Sequence, residues 1–145
     1  MNREVVTREI QKIKIEAAEM SAHIYKPEWS RIETAGIASM IAAIYSGCES
    51  IFMNLCKNKV QKKEHWHKEL LKNAIAEGLV PPETEEILGD MLAFRHIQRN
   101  YYVHELIESE VRQKAVEVVN IIVPALDKHL QKFLEKHSKD KDIPT

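Results

Sequence analysis

The stretch SRIETAGIASMIAAIYSGCESIFMNL, residues 30–55, decides the fold. Ser30 followed three residues later by Glu33 is the pattern of a capping box, in which a hydroxyl and a carboxylate each satisfy a backbone N–H of the first helical turn. Ile37, Ile41, Ile44, Cys48, Ile51 and Leu55 then recur at alternating steps of four and three, the period of one helical face. Ala35, Ala38, Ala42, Ala43, Tyr45 and Phe52 widen that face beyond what one neighbour covers. This helix is therefore expected at the centre of a bundle, touched on two sides, with its alanines permitting close approach.

On the N-terminal side, Val6, Ile10, Ile13, Ala17, Met20 and Ile24 follow the same alternation with lysines and glutamates between them, which predicts a long amphipathic first helix ended by Pro27. On the other side, Lys57 to Lys63 reads as a solvated lysine-rich loop, with a phosphate-attracting rim as the functional alternative. His65-Trp66-His67 leads into Leu70, Leu71, Ile75 and Leu79, a short third helix closed by Gly78 and the Pro81-Pro82 pair. Its His-x-His alone falls short of a tetrahedral zinc set, so a capping or packing role outweighs a zinc site. Pro82 with Glu83, Glu85 and Glu86 starts a fourth helix, buried along Ile87, Leu88, Met91, Leu92 and Phe94. The last helix begins near Ser109 and carries Val111, Ala115, Val118, Val119, Ile122, Leu126, Leu130 and Phe133 on one face, with a kink at Pro124. The tail from His137 is charged and expected to fray. The result is an all-α chain, one domain over residues 1–145, folded as an antiparallel helical bundle of about five helices with two long N-terminal members.

The totals agree with that class. Hydrophobic residues make up 44% and charged residues 30%, with only four glycines and five prolines. A formal net charge of -1 argues against a broadly basic nucleic-acid coat, so any RNA binding must be local. Cys48 and Cys56 lie eight positions apart, roughly 12 Å along one helix, too far for a disulfide between Cα atoms about 7 Å apart. Two unpaired thiols suit a reducing cytosol. The N-terminus lacks a basic start followed by an apolar run, and no window is expected to span a bilayer, so the chain reads as cytoplasmic, without membrane partners.

Chemistry gathers in one place, Phe94-Arg95-His96-Ile97-Gln98-Arg99-Asn100-Tyr101-Tyr102-Val103-His104-Glu105-Leu106, delivered by the C-terminal end of the fourth helix. Arg95 and Arg99, four apart, are expected on one face, where their guanidinium groups could grip a phosphate. His104 is five residues beyond Arg99 and would point away from it on an unbroken helix, so a working pair requires the helix to end or bend between them. If His104 takes the proton of a ribose 2′-hydroxyl, that oxygen can attack the adjacent phosphorus while Arg99 and Arg95 stabilise the added charge. DNA lacks the hydroxyl and would be inert, and the route needs no metal or other cofactor. Tyr101 and Tyr102 could stack on splayed bases. Each residue also has a plainer reading. Arg99 could cap a helix or pair with Glu105 or Glu108, Arg95 could neutralise Asp90 or a neighbouring acid, and the tyrosines could be ordinary packing or interface residues. The Arg-x4-His spacing arises about 0.3 times by chance in a chain of this composition, so it decides little alone.

Arg99, Asn100 and His104 resemble the signature of the HEPN superfamily: arginine, a polar residue, then histidine after four to six intervening positions. Three longer blocks are similar to the HepT-like ribonuclease toxin group: Tyr45-Ser46-Gly47-Cys48-Glu49 with Ile51; Trp66-His67-Lys68-Glu69-Leu70-Leu71; and Phe94-Arg95-His96 followed by Arg99, Tyr102, Glu105 and Leu106. The likeness covers roughly residues 30 to 135. It implies a homodimer with two motif copies facing one cleft, metal-independent RNA cleavage, and a minimal nucleotidyltransferase partner acting as antitoxin. Arg99 and His104 would be catalytic, Arg95, His96, Asn100 and Tyr102 supporting, and Arg95 with Tyr101 substrate-binding. His96, in the Phe-Arg-His block, is a rival proton carrier. One departure is Leu106, where many members have the tyrosine that receives AMP from the antitoxin. Three readings follow: a toxin-like endoribonuclease; a catalytically idle module of the same fold that docks onto a nucleotidyltransferase or binds a nucleotide; and a helical interaction protein in which the motif is incidental.

Overall fold

The structure is a computed structural model that describes residues 2–100, 102 and 105–141. Its helices are α1 (Arg3–Ser21), α2 (Arg31–Leu55), α3 (Trp66–Ala76), α4 (Glu85–Asn100), α5 (Glu108–Glu117) and α6 (Val123–Lys141), and no strand occurs among the described residues. A 3-10 turn, Pro82–Thr84, opens the path into α4. A π turn, Val118–Ile122, joins α5 to α6 without a loop, so five rods make the bundle.

α2 is the central rod, packed against α1, α3, α4 and α5. Ser30 and Glu33 form the capping box: the Ser30 hydroxyl accepts from the Glu33 N–H at 3.0 Å and the Glu33 carboxylate accepts from the Ser30 N–H at 3.1 Å. The six residues of the four-and-three stripe are all buried, and so are Ala38, Tyr45 and Phe52. Close approach to α1 depends on Gly47, where an added Cβ would lie 3.0 Å from Ile13 Cγ1. By length and composition α2 could also cross a bilayer, which corrects the expectation that no window would. Here its apolar surface is turned inward against its four neighbours.

α1 buries the expected residues, yet it ends at Ser21 rather than at Pro27. The next residues form turns that keep Ile24 in the core, and Trp29 Nε1 donates to the His23 carbonyl at 3.0 Å. Arg112 of α5 clamps this corner. Its guanidinium lies over the Trp29 ring at 4.1 Å and donates to the Ile24 and Lys26 carbonyls at 2.9 and 2.6 Å. At the far end of α2, Glu77 accepts the Lys57 and Asn58 N–H groups at 2.6 and 3.2 Å and pins the loop onto the end of α3. Gly78, with φ of 75°, then supplies the left-handed residue that ends α3.

The expected kink at Pro124 takes the form of a register change. Proline lacks the N–H that would close an α turn and crowds the preceding carbonyls. The backbone widens just ahead of it, and the Val123 N–H bonds the Val118 carbonyl five residues back. Ile122 and Val123, adjacent in sequence, are both buried as a result, and Leu134 takes the core place expected of the half-buried Phe133. α6 continues as helix past His137 to Lys141, where fraying was expected.

Candidate functional site

One charge interrupts α2 between Glu33 and Lys57, and it is Glu49, whose side chain faces the core. A buried carboxylate needs a counter-charge and hydrogen-bond donors. Arg95 of α4 meets it, with Nη1 donating to Glu49 Oε1 at 2.7 Å and to Ser46 Oγ at 3.1 Å. His67, in the first turn of α3, closes the group, with its Nδ1 2.7 Å from Glu49 Oε2 and 2.8 Å from Arg95 Nη2. The Arg95 guanidinium also lies 5.0 Å from the centre of the Tyr45 ring, a cation–π distance. Burial, with the Glu49 charge second, pushes the Tyr45 hydroxyl well above the usual tyrosine range, and that oxygen has no hydrogen-bond partner among the described residues.

This places Arg95 differently from the expectation. It is 4% exposed and committed to Glu49, Ser46 and His67, so it is not presented with Arg99 to a phosphate in solvent. Nor does it neutralise Asp90, which is paired with Lys114 at 3.4 Å. Arg99, in the last turn of α4, is exposed and makes no ion pair among the described residues. Its two suggested acids are otherwise engaged. Glu108 holds Arg112 and the Trp29 N–H, and the Glu105 carboxylate accepts from the Tyr102 N–H at 3.4 Å.

α4 ends at Asn100, so the helix does stop between Arg99 and residue 104, as a working pair requires. His96 is exposed on the neighbouring face. Tyr102 is 75% exposed and contributes nothing to the core, while Leu106 packs against it. Tyr101, His104 and the Asn100 side chain lie outside the described residues. The two histidines flanking Trp66 diverge. His65, at φ 63°, holds its ring toward Glu64 at 3.7 Å, whereas His67 turns in to Glu49. Among the described residues no group of three or more metal-ligating side chains converges.

The Glu49–Arg95–His67 cluster thus draws one residue from each of the three blocks quoted above, on α2, α4 and α3, into direct contact. A family model described as HepT-like protein matches residues 36–137, most of the chain and all three blocks. The chain belongs to the HepT-like family. No curated protein and no solved structure gives a significant match. In this HepT-like chain the family's span starts within α2 and ends within α6, leaving α1 and the capping box outside it. On sequence grounds Glu49 and Ser46 had no assigned role, and His67 only a capping or packing one. The available signal was the lone carboxylate inside an otherwise apolar stripe.

Proposed function

We propose that this HepT-like protein is a toxin-like, metal-independent endoribonuclease of the cytoplasm. It works as a homodimer and is held in check by a minimal nucleotidyltransferase. Arg99 binds the scissile phosphate, and His104 removes the proton of the 2′-hydroxyl so that the oxygen attacks the adjacent phosphorus, leaving a cyclic phosphate. Arg95 changes role in this reading. Locked to Glu49, it is a positioning residue that fixes α4 and thereby the turn carrying Arg99. The observation that carries the reading is Arg99, exposed and without an ion pair among the described residues, in the last turn of a helix that stops one residue later. Tyr102, three positions further along the chain and exposed, offers a stacking surface for an unpaired base. His96 and Asn100 support the same end of α4, Tyr101 contacts substrate, and pairing two protomers concentrates positive charge that a chain of net charge -1 lacks overall.

A second reading, an inactive module that docks onto a nucleotidyltransferase or binds a nucleotide, is favoured by Leu106, a core-packing residue with no hydroxyl to modify. One assay separates the two. Purified protein with chelator present cuts single-stranded RNA, and Arg99→Ala or His104→Ala abolishes cutting with native circular dichroism. Intact RNA after incubation with wild-type protein favours the docking module instead.

A further inference from the structure

Transfer to a 2′-hydroxyl has two proton steps. A base accepts the 2′-O–H proton as the O–P bond forms, and an acid supplies a proton to the 5′-oxygen as the P–O5′ bond breaks. One imidazole cannot do both at once. We propose that His67, oriented by Glu49, is the second proton carrier and acts as the acid on the departing 5′-oxygen. This rests on the nuclease reading above.

The geometry at Nδ1 leads there. Two fixed neighbours face it: a guanidinium, which can only donate, at 2.8 Å, and a carboxylate, which can only accept, at 2.7 Å. Nδ1 can serve only one of them. Without a hydrogen on Nδ1, Glu49 Oε2 would face a nitrogen lone pair inside the protein, with no donor of its own among the described residues. With the hydrogen, Oε2 is satisfied, and Arg95 keeps its charge partner through Nη1 and Glu49 Oε1 at 2.7 Å. An unmet buried carboxylate oxygen is the costlier outcome, so Nδ1 carries the hydrogen and donates to Glu49.

That assignment leaves Nε2 as the nitrogen that exchanges its proton, the division of labour a carboxylate imposes on a catalytic imidazole. The side chain is open enough for this: His67 is 31% exposed, against 8% for Glu49 and 5% for Arg95. Nδ1 is the atom turned inward, so the open part is the remainder of the ring. Trp66 lies against that ring with centroids 3.7 Å apart, and Lys62 stands 5.5 Å from the Trp66 centroid, giving an aromatic face and a cation beside the imidazole. Arg99 lies one turn beyond Arg95, about 6 Å along α4, so the His67 contact and the phosphate-binding arginine occupy consecutive turns of one helix.

The test uses the full-length chain and two RNA substrates, one ordinary and one with sulfur in place of the bridging 5′-oxygen, a leaving group that departs without protonation. Variants are His67→Ala and His67→Asn, the second keeping an N–H donor for Glu49. Both are expected to cut ordinary RNA about 100-fold more slowly and the sulfur substrate at close to the wild-type rate, and to flatten the alkaline limb of the pH–rate profile. Equal losses on the two substrates, or a His67→Asn variant as active as wild type, overturns the proposal and leaves the nuclease reading standing. A wild-type protein that cuts neither substrate overturns both.

Discussion

Arg95 Nη1 lies 2.7 Å from Glu49 Oε1, and the two side chains are 5% and 8% exposed, so α4 is fastened to the centre of α2 by a desolvated ion pair. Removing one partner of such a pair leaves a bare charge in the core, whereas removing both does not. Glu49→Ala is expected to lower unfolding stability by about 3–5 kcal/mol, and Arg95→Ala by a similar amount. The double variant Glu49→Leu/Arg95→Met should recover most of the loss. Urea unfolding of the four proteins measures the coupling, and additive single effects would show that the pair is not a unit.

Acid should weaken the N-terminal corner of the bundle. The Lys26 ammonium at 2.8 Å, then the Ser30 N–H, hold the Glu33 carboxyl down at about 2, from an ordinary 4.5. The folded value is the lower one, so the contribution is complete above about 4.5 and disappears as pH falls through about 2. Glu77 works in the same sense. Burial pushes it up, but the Lys57 and Asn58 N–H groups outweigh burial and hold it below the usual carboxylate range. Melting temperatures of wild type and Glu33→Gln should converge between pH 5 and pH 2. A constant gap across that range would mean that Glu33 titrates alike in folded and unfolded chains. Ser30→Ala, which removes the reciprocal bond, should cost about 1 kcal/mol at neutral pH.

The two thiols should be silent in the native state. Burial, with the Glu49 charge second, pushes Cys48 up to about 12, and burial, with the Glu77 charge second, pushes Cys56 to about 11. Thiolate is the reacting form, so at pH 8 a disulfide reagent should label neither residue faster than the protein unfolds. Both should react once denaturant is added. A thiol titrated within seconds in buffer would contradict the packing around α2.

Most of the bundle is legible in residue spacing because α1 and α4 bury single faces at the helical period, α2 shows by its wider apolar stripe that it is central, and Ser30 with Glu33 announces its cap by type and distance. What the spacing missed was tertiary. Nothing local says that the chain leaves α1 at Ser21, because the reason is an arginine on α5 that grips the Trp29 ring and two carbonyls of the turn. The site divided along the same line. Arg99 could be singled out from its neighbours in the chain, whereas the burial of Arg95 follows from Glu49 and His67, 46 and 28 positions away. A lone acid on an apolar helix signals that a partner exists without saying which cation it will be.

The π turn at Val118–Ile122 has a bearing on how the bundle closes. Before it, α5 lies along α2; after it, α6 lies along α1. One uninterrupted rod thereby changes partner in mid-course and seals two separate seams, with no flexible joint whose freedom would have to be frozen on folding. The outermost helix is thus held at both ends by different parts of the molecule, and loosening α1 would be felt first beyond Val123, not at the end of α4 where Arg99 stands.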